Sequence, residues 1–330
     1  MSELYNNIIV VKKGEDYYKV FDLINKQNQS KSYDIYYLWS LNSVKESGIE
    51  QEIENGVVAL YKIFKGSLLK LDKAKIRIMS VTKDCYAIVE QDKGINYAYG
   101  ALNGFSRSLM KEMNRYCMKI IDLDETSMEQ KYIISLLKTE MSNNQKLLIG
   151  YRNGSRFVQK VQSKEIKSEC EKTVFEDNKQ YIIVGGMGGI GRKIISKITK
   201  NTNSHIIVIG RKKREELNDI ADCLIRESKI EYYSCNISDY SSIKNCIDEI
   251  KQEYGSIHGI IHAAGIVEDQ YLINKQLDSF KKVLSPKILG AYYLNELTKD
   301  EALDFFIVFS SIVSIVGNSG QADYAAANSF

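Results

Sequence analysis

The feature that most constrains this chain is a cluster of five glycines within seven residues, directly after an apolar run: Tyr181-Ile-Ile-Val184-Gly185-Gly186-Met187-Gly188-Gly189-Ile190-Gly191. The run reads as a buried strand, and Arg192 to Thr199 that follows reads as a helix. Glycines between strand and helix permit a tight turn, let backbone approach a ligand, and bring helix against sheet. The spacing satisfies G-x-G-x-x-G through Gly186, Gly188 and Gly191, and G-x-x-x-G-x-G through Gly185, Gly189 and Gly191. With Ile190 inside it, this loop opens a helix whose free N–H groups favour a diphosphate. The punctuation is unusually legible because the chain has a single proline, Pro286.

Around that turn the sequence alternates strands and helices. In the second half Tyr181–Val184, His205–Ile209, Ile230–Ser234, His258–His262 and Asp304–Ser310 read as buried strands with helix-length segments between them. That rhythm predicts a doubly wound parallel sheet. The first half predicts strands at Asn7–Val11, Asp34–Trp39, Lys75–Ser80 and Cys117–Ile121, closing with Leu147–Gly150 and Phe157–Val161. It predicts helices over Tyr17–Ile24 and around Val57, Leu60, Ile63 and Phe64. Ser163–Lys179 is charged and aperiodic. The expected organisation is a subdomain at 1–162, a linker at 163–179 and a second subdomain at 180–330. Lys12-Lys13-Gly14-Glu15 after the first apolar run offers no glycine cluster, so the first subdomain is expected to be degenerate and structural. Tyr99-Gly-Ala-Leu-Asn103-Gly-Phe105 nonetheless echoes Tyr324-Ala-Ala-Ala-Asn328-Ser-Phe330, through duplication or through coincidence.

Composition excludes several classes. Lys plus Arg number 45 against 42 acidic residues, a net charge of +3, which argues against a nucleic-acid or acidic-membrane surface. Six cysteines without a CxxC pair and three histidines give neither a disulfide framework nor a zinc site, so no metal is expected. No apolar stretch near the C-terminus approaches bilayer length, and the N-terminus lacks a signal-peptide pattern. A soluble, cytoplasmic protein is expected.

Two further constellations carry chemistry. The strand after the glycine turn ends Val208-Ile209-Gly210-Arg211, where an NAD site usually has an acidic residue for the ribose. Arginine there suits the 2′-phosphate of NADPH, while Lys213 and Arg214 read as a solvated helix start. Downstream, the strand Phe305–Phe309 delivers Ser310-Ser311; Tyr324 follows thirteen residues after Ser311, Asn328 one turn later, and Lys287 stands 24 residues before Ser311. A serine hydroxyl can hold a carbonyl oxygen and a tyrosine hydroxyl can protonate the developing alkoxide. A lysine ammonium nearby favours the phenolate such a donor leaves behind.

With these residues in view, Tyr181–Phe330 resembles the ketoreductase domain of modular polyketide synthases, in the short-chain dehydrogenase/reductase superfamily. Most of that superfamily has lysine four residues after the tyrosine; here Asn328 holds that place and the lysine is Lys287, in Ser285-Pro286-Lys287-Ile288-Leu289-Gly290-Ala291. That exchange marks the polyketide and fatty-acid synthase reductases. His262-Ala263-Ala264-Gly265 resembles the loop that supports the cofactor ribose, and 103–113 with Tyr151-Arg152-Asn153-Gly154 resembles the family's structural subdomain. The resemblance implies an α/β fold of two Rossmann-like subdomains and NADPH-dependent reduction of a β-ketoacyl thioester during polyketide, and so antibiotic, biosynthesis. It also implies an acyl carrier protein bearing that chain, and neighbouring synthase domains. Ser311 and Tyr324 would then meet the substrate carbonyl, with Lys287 and Asn328 completing a tetrad. The alternatives are a non-reducing structural or binding module and a free-standing reductase of small ketones.

Departures from the family pattern are specific. Val184 replaces a threonine before the first glycine, and Asn236, in Cys235-Asn236-Ile237-Ser238-Asp239, replaces an aspartate that accepts from the adenine amino group. Val267-Glu268-Asp269 stands where reductases giving D-configured alcohols have Leu-Asp-Asp, which makes Asp269 the candidate for stereocontrol. Val316, eight residues before the tyrosine, occupies the place of the tryptophan of the opposite class. The sequence stops at Phe330 inside the tyrosine helix, whereas the family continues with a strand and lid helices, so a truncated chain is expected.

Overall fold

A computed structural model of the chain describes residues 8–27, 31–41, 48–71, 73–92, 96–125, 130–143, 147–165, 174–217 and 229–330. It contains two compact units that do not follow chain order. The first comprises Met1–Val161, Glu268–Lys281 and Ser311–Phe330; the second comprises Gln162–Val267 and Lys282–Ser310.

In the first unit, α1 (Tyr17–Gln27) precedes β1 (Ser32–Tyr37), α2 (Ile49–Ile53), α3 (Ala59–Lys70), β2 (Lys75–Lys83), α4 (Ala101–Glu112) and β3 (Tyr116–Leu123). Then come α5 (Gln130–Ser142), β4 (Leu148–Arg152) and β5 (Ser155–Val158). The sheet runs β1-β2-β3-β4-β5, parallel except for the closing hairpin. Asn153 and Gly154, at φ 49° and 75°, make that two-residue hairpin turn. Alternation along β3 sends Tyr116 to Phe64 of α3 on one face and Ile121 and Leu123 to Leu136, Leu137 and Met141 of α5 on the other.

The expected strand at Asn7–Val11 does not form. Residues 8–12 have no regular structure, Val10 is 79% exposed, and Asn7 lies outside the described residues. Four apolar residues without a sheet edge to pair with do not make a strand.

Sequential strand order leaves this sheet without the reversal at which doubly wound folds open a ligand crevice. A buried polar network occupies the carboxyl ends of its strands instead. Asp122 accepts from Thr82 Oγ1 (2.6 Å), from the Cys85 and Tyr86 amides, and from Arg152 Nη2 (2.7 Å). Arg152 reaches on to Asp92 and the Tyr86 carbonyl. Both Asp122 and Arg152 are buried, and a pair in such a place must be fully hydrogen-bonded to be tolerated.

The second unit runs β6 (Gln180–Val184), α6 (Gly189–Asn201), β7 (His205–Gly210), β8 (Ile230–Ser234), α7 (Tyr240–Tyr254), β9 (Gly259–His262), α8 (Leu277–Thr298, of which residues from Lys282 belong here) and β10 (Phe305–Val308). Its parallel sheet has the order β10-β9-β6-β7-β8, so the direction of winding reverses between β6 and β9. Tyr181–Val184 and Ile206–Ile209 are buried on both faces, as parallel strands between helices should be. β10 differs from the fully buried strand expected there: among the described residues it lies at the end of the sheet, with Ile307 and Val308 exposed. Within the segment expected as a linker, residues 166–173 lie outside the described residues, while Phe175 stacks edge-on against Tyr181 and Phe305. Cys85, Cys117, Cys235 and Cys246 are free thiols; Cys170 and Cys223 lie outside the described residues. No described helix is long and apolar enough to cross a membrane.

The first unit also holds the C-terminal residues. α9 (Val313–Val316) and α10 (Ala322–Ser329) pack on α4. The two echoing segments therefore meet in space. Ser329 Oγ accepts from the Gly104 amide (3.1 Å) and donates to the Gly100 carbonyl (3.1 Å), while a Cβ at Gly104 would overlap the Ala325 carbonyl. Gly104→Ala should therefore destabilise the fold by about 1–3 kcal/mol through overpacking, despite alanine's better helix propensity. Urea unfolding would read this as a lower midpoint at unchanged slope; an unchanged midpoint would mean that the helix pair separates without cost.

Candidate active site

The glycine turn lies at the winding reversal. Gly185 donates to Ile209 O (2.8 Å) on β7, and Ala263 donates to Val184 O (2.9 Å), which ties the turn to both neighbouring strands. Gly185 sits at φ +76°, and a Cβ there would stand 2.8 Å from Ala264 Cα. Only glycine meets both demands without strain. Gly186 and Gly191 are buried where a Cβ on Gly191 would lie 2.5 Å from Gly186 Cα, which brings turn and helix together. Gly188 caps α6, and the first helical bond runs from Arg192 N–H to Gly188 O (3.0 Å). The amides of Gly189, Ile190 and Gly191 thus have no intrahelical acceptor, and Gly188, Gly189 and Ile190 are exposed. These residues fit an anionic diphosphate.

Other predicted cofactor residues surround the same sheet edge. Arg211 follows β7 directly and is exposed. Asn236 follows β8 by one residue; its Oδ1 accepts from Ser238 N–H (3.2 Å), and its own amide donates to Ser242 Oγ (3.2 Å). One carbonyl lone pair is therefore engaged in a local turn, leaving the other for an amino donor. Ala263 and Ala264 are half-buried and Gly265 is exposed at the end of β9. A Cβ on Gly265 would stand 3.0 Å from Lys287 Cε, so this glycine gives the lysine its passage.

Lys287 is 8% exposed, on α8, and its ammonium donates to Phe309 O (2.7 Å). Burial holds its pKa below the usual lysine value. The adjacent residue explains its placement. His262, 1% exposed, accepts from Ala264 N–H at Nδ1 (3.3 Å), which leaves the proton on Nε2 to donate to Pro286 O (2.8 Å). One buried imidazole thus braces the Ala263–Gly265 loop at one nitrogen and the lysine-bearing turn at the other. Burial is the main cause that pushes its pKa down to about 4.

The other three chemistry-bearing residues belong to the first unit, whereas Lys287 belongs to the second. Ser311 is half-buried; its hydroxyl accepts from Val313 N–H (3.3 Å) and its carbonyl from Ser314 Oγ (2.7 Å), which starts α9. Tyr324 is half-buried in the first turn of α10. Asn328 Nδ2 donates to the Tyr324 carbonyl (2.7 Å), so the two residues are coupled along one helix face. Asp269 is exposed and accepts from Gln321 Nε2 at both oxygens (3.0 and 2.9 Å).

Sequence reasoning overlooks three charged residues in this region. Lys275 and Asp323 form a buried ion pair (2.8 Å), and Glu112 accepts from the Leu272 and Gly320 amides (2.6 and 2.9 Å). Burial raises the Glu112 carboxyl above its usual range. No local pattern distinguishes these residues from surface charges; they are 48 or more positions apart in sequence and meet only on folding.

The state of His262 makes folding pH-dependent. The fold keeps the imidazole neutral while the unfolded chain binds a proton near its ordinary pKa of ~6.5. Its contribution is therefore complete above that pH and is lost as pH falls towards about 4, a swing on the order of 3 kcal/mol. His262→Gln should show a shallower fall in unfolding free energy than the unaltered protein across this interval. Equal slopes would remove His262 from the account.

Residues 179–330 match the family described as KR domain, and residues 3–140 match one described as Beta-ketoacyl synthase-like, N-terminal. The polyketide synthase PksN of Bacillus subtilis is 33% identical over 247 residues, covering 74% of this chain and 4% of PksN. ThaG, a polyketide synthase of Burkholderia thailandensis, is 36% identical over 154 residues, 47% of this chain and 3% of ThaG. The chain thus spans a small fraction of these relatives. An N-terminal ketoreductase from the macrolactin assembly line superposes with a TM-score of 0.78 at 25% identity, over 96% of this chain and 64% of that one. The first ketoreductase of the tylosin synthase shares the fold, with a TM-score of 0.79 at 21% identity over 97% of this chain and 67% of that one. A two-sheet α/β fold, a glycine turn at the winding reversal and the match of residues 179–330 lead to one conclusion: this part of the chain is a KR domain, similar to the ketoreductase domains of polyketide synthases.

Proposed function

We propose that the protein reduces a β-ketoacyl thioester, carried on an acyl carrier protein within a polyketide synthase, to the β-hydroxyacyl thioester, using NADPH. The observation that carries this reading is the cradle at the start of α6, where open amides at Gly189, Ile190 and Gly191 stand on a turn that Gly185 locks against Ala264. Gly185, Gly186 and Gly188 shape the diphosphate site, and Ala263, Ala264 and Gly265 support the ribose. Arg211 takes the 2′-phosphate through a bidentate guanidinium contact, and Asn236 accepts from the adenine. When bound, the reduced nicotinamide supplies a hydride.

The chain's own residues manage the oxygen and its proton. Ser311 donates to the substrate carbonyl, and Tyr324 delivers a proton to the oxygen as it becomes an alkoxide. Lys287 stabilises the resulting phenolate electrostatically, and its lowered pKa eases proton return. Asn328 fixes the Tyr324 turn through the backbone bond already described. Asp269 influences which face of the ketone is presented, giving the D-configured alcohol. The neighbouring domains of the synthase present the carrier-bound chain.

Two outcomes follow. With a soluble β-ketoacyl thioester, Tyr324→Phe should lower kcat by about 10²–10⁴-fold while NADPH still binds. Unreduced turnover in that variant would refute the tyrosine's assignment. Arg211→Ala should weaken NADPH by roughly 10–100-fold and leave NADH binding nearly unchanged. Equal losses for the two cofactors would detach Arg211 from the 2′-phosphate.

A further inference from the structure

The segment Glu268–Ser279 and the start of α10 are joined inside the first unit by several hydrogen bonds and a buried ion pair. Gln270 N–H donates to Gly320 O (2.8 Å), and the Glu112 carboxylate takes the amides of Leu272 and Gly320 together. At the centre lies the Lys275–Asp323 pair, each side chain 1% exposed and 2.8 Å apart. Lys275 also donates to the Glu268 carbonyl and to Ser279 Oγ (3.4 Å), and Ser279 holds the Glu268 carboxylate (2.7 Å). Asp323 divides its two oxygens: Oδ2 faces the Lys275 ammonium, and Oδ1 accepts the amide of Tyr324 (2.8 Å).

Stability alone does not account for this arrangement. Two charges lose their hydration on burial, and an apolar pair of similar volume commonly leaves a protein equally or more stable. What an ion pair supplies and an apolar pair does not is direction. Lys275 is hydrogen-bonded to the segment carrying Asp269, Asp323 accepts from the amide of the tyrosine, and the buried charge contact joins the two.

We infer that the Lys275–Asp323 ion pair is a positioning device for Tyr324, holding the phenol-bearing turn of α10 in register with the segment that carries Asp269. The inference rests on the reading of Tyr324 as proton donor. Lys275 and Asp323 touch neither substrate nor cofactor in this scheme; they act through the tyrosine. A phenol misplaced by an ångström delivers its proton poorly, and a presenting segment free to shift against it no longer selects one face of the ketone.

The test compares Asp323→Asn, Lys275→Met and the double variant Lys275→Met/Asp323→Leu in the full chain with the same soluble β-ketoacyl thioester. Melting temperature, kcat, KM and the configuration of the alcohol are read together. The single variants should melt lower. The double variant should recover the melting temperature yet keep a kcat at least about 10-fold down, with KM within about twofold and a mixture of alcohol configurations. A double variant with wild-type melting, kcat and configuration would overturn the inference and leave the pair merely structural. If no variant folds, amide hydrogen exchange of the unaltered protein decides. One common opening of 268–279 and 320–326 supports the coupling, and independent openings overturn it. Tyr324→Phe run alongside separates the two claims: retained turnover there defeats the reading of Tyr324 itself, whereas lost turnover beside a wild-type double variant defeats only the positioning role.

Discussion

The helix that carries Tyr324 rests on α4, and the contact is between backbones. At Gly104 the two helices approach so closely that no side chain fits between them, and Ser329 bridges the Gly104 amide and the Gly100 carbonyl. Much else follows from that approach. It places the C-terminal twenty residues in the first unit, next to the segment 268–281, and it lets Glu112 at the end of α4 bind amides from both. The first half of the chain has no glycine turn after its first apolar run and no reversal in its strand order. Where a nucleotide would enter, Asp122 and Arg152 fill the strand ends with their own hydrogen bonds. Its contribution is support for the segments that carry chemistry.

In the second unit the comparable constraint is the closeness of Gly185 to Ala264 at the winding reversal. The same β9 end supplies His262, whose two ring nitrogens bind the Ala264 amide and the Pro286 carbonyl. A neutral imidazole is required, because a proton on Nδ1 would turn the Ala264 amide from partner into opponent. Burial enforces that neutrality. The only proline of the chain has a use here: its position in α8 adjoins Lys287, and its carbonyl is the acceptor that anchors this turn. The Ala263–Gly265 loop and the turn bearing Lys287 are thereby set by one side chain.

Features carried by neighbouring residues were readable before any coordinates. The strand–glycine–helix run at 181–199 has a period and a punctuation of its own, and strands such as Ile206–Ile209 are apolar throughout because both faces are covered. Ser311, Tyr324, Asn328 and Lys287 stood out by spacing. The same logic failed at Ile8–Val11, where an apolar run finds no strand to pair with among the described residues. Pairing is a property of the neighbour as well as of the run.

By itself the sequence determined the α/β class, the glycine turn and the residue types available for carbonyl chemistry, because these depend on contacts within a few residues. Only the tertiary structure decided that the echoing segments 99–105 and 324–330 lie against each other, that Lys275 finds Asp323, and that His262 is neutral. Each of those facts joins positions that are far apart along the chain or depends on how deeply a group is buried. Charge and polarity in a sequence carry no sign of either until packing removes the water.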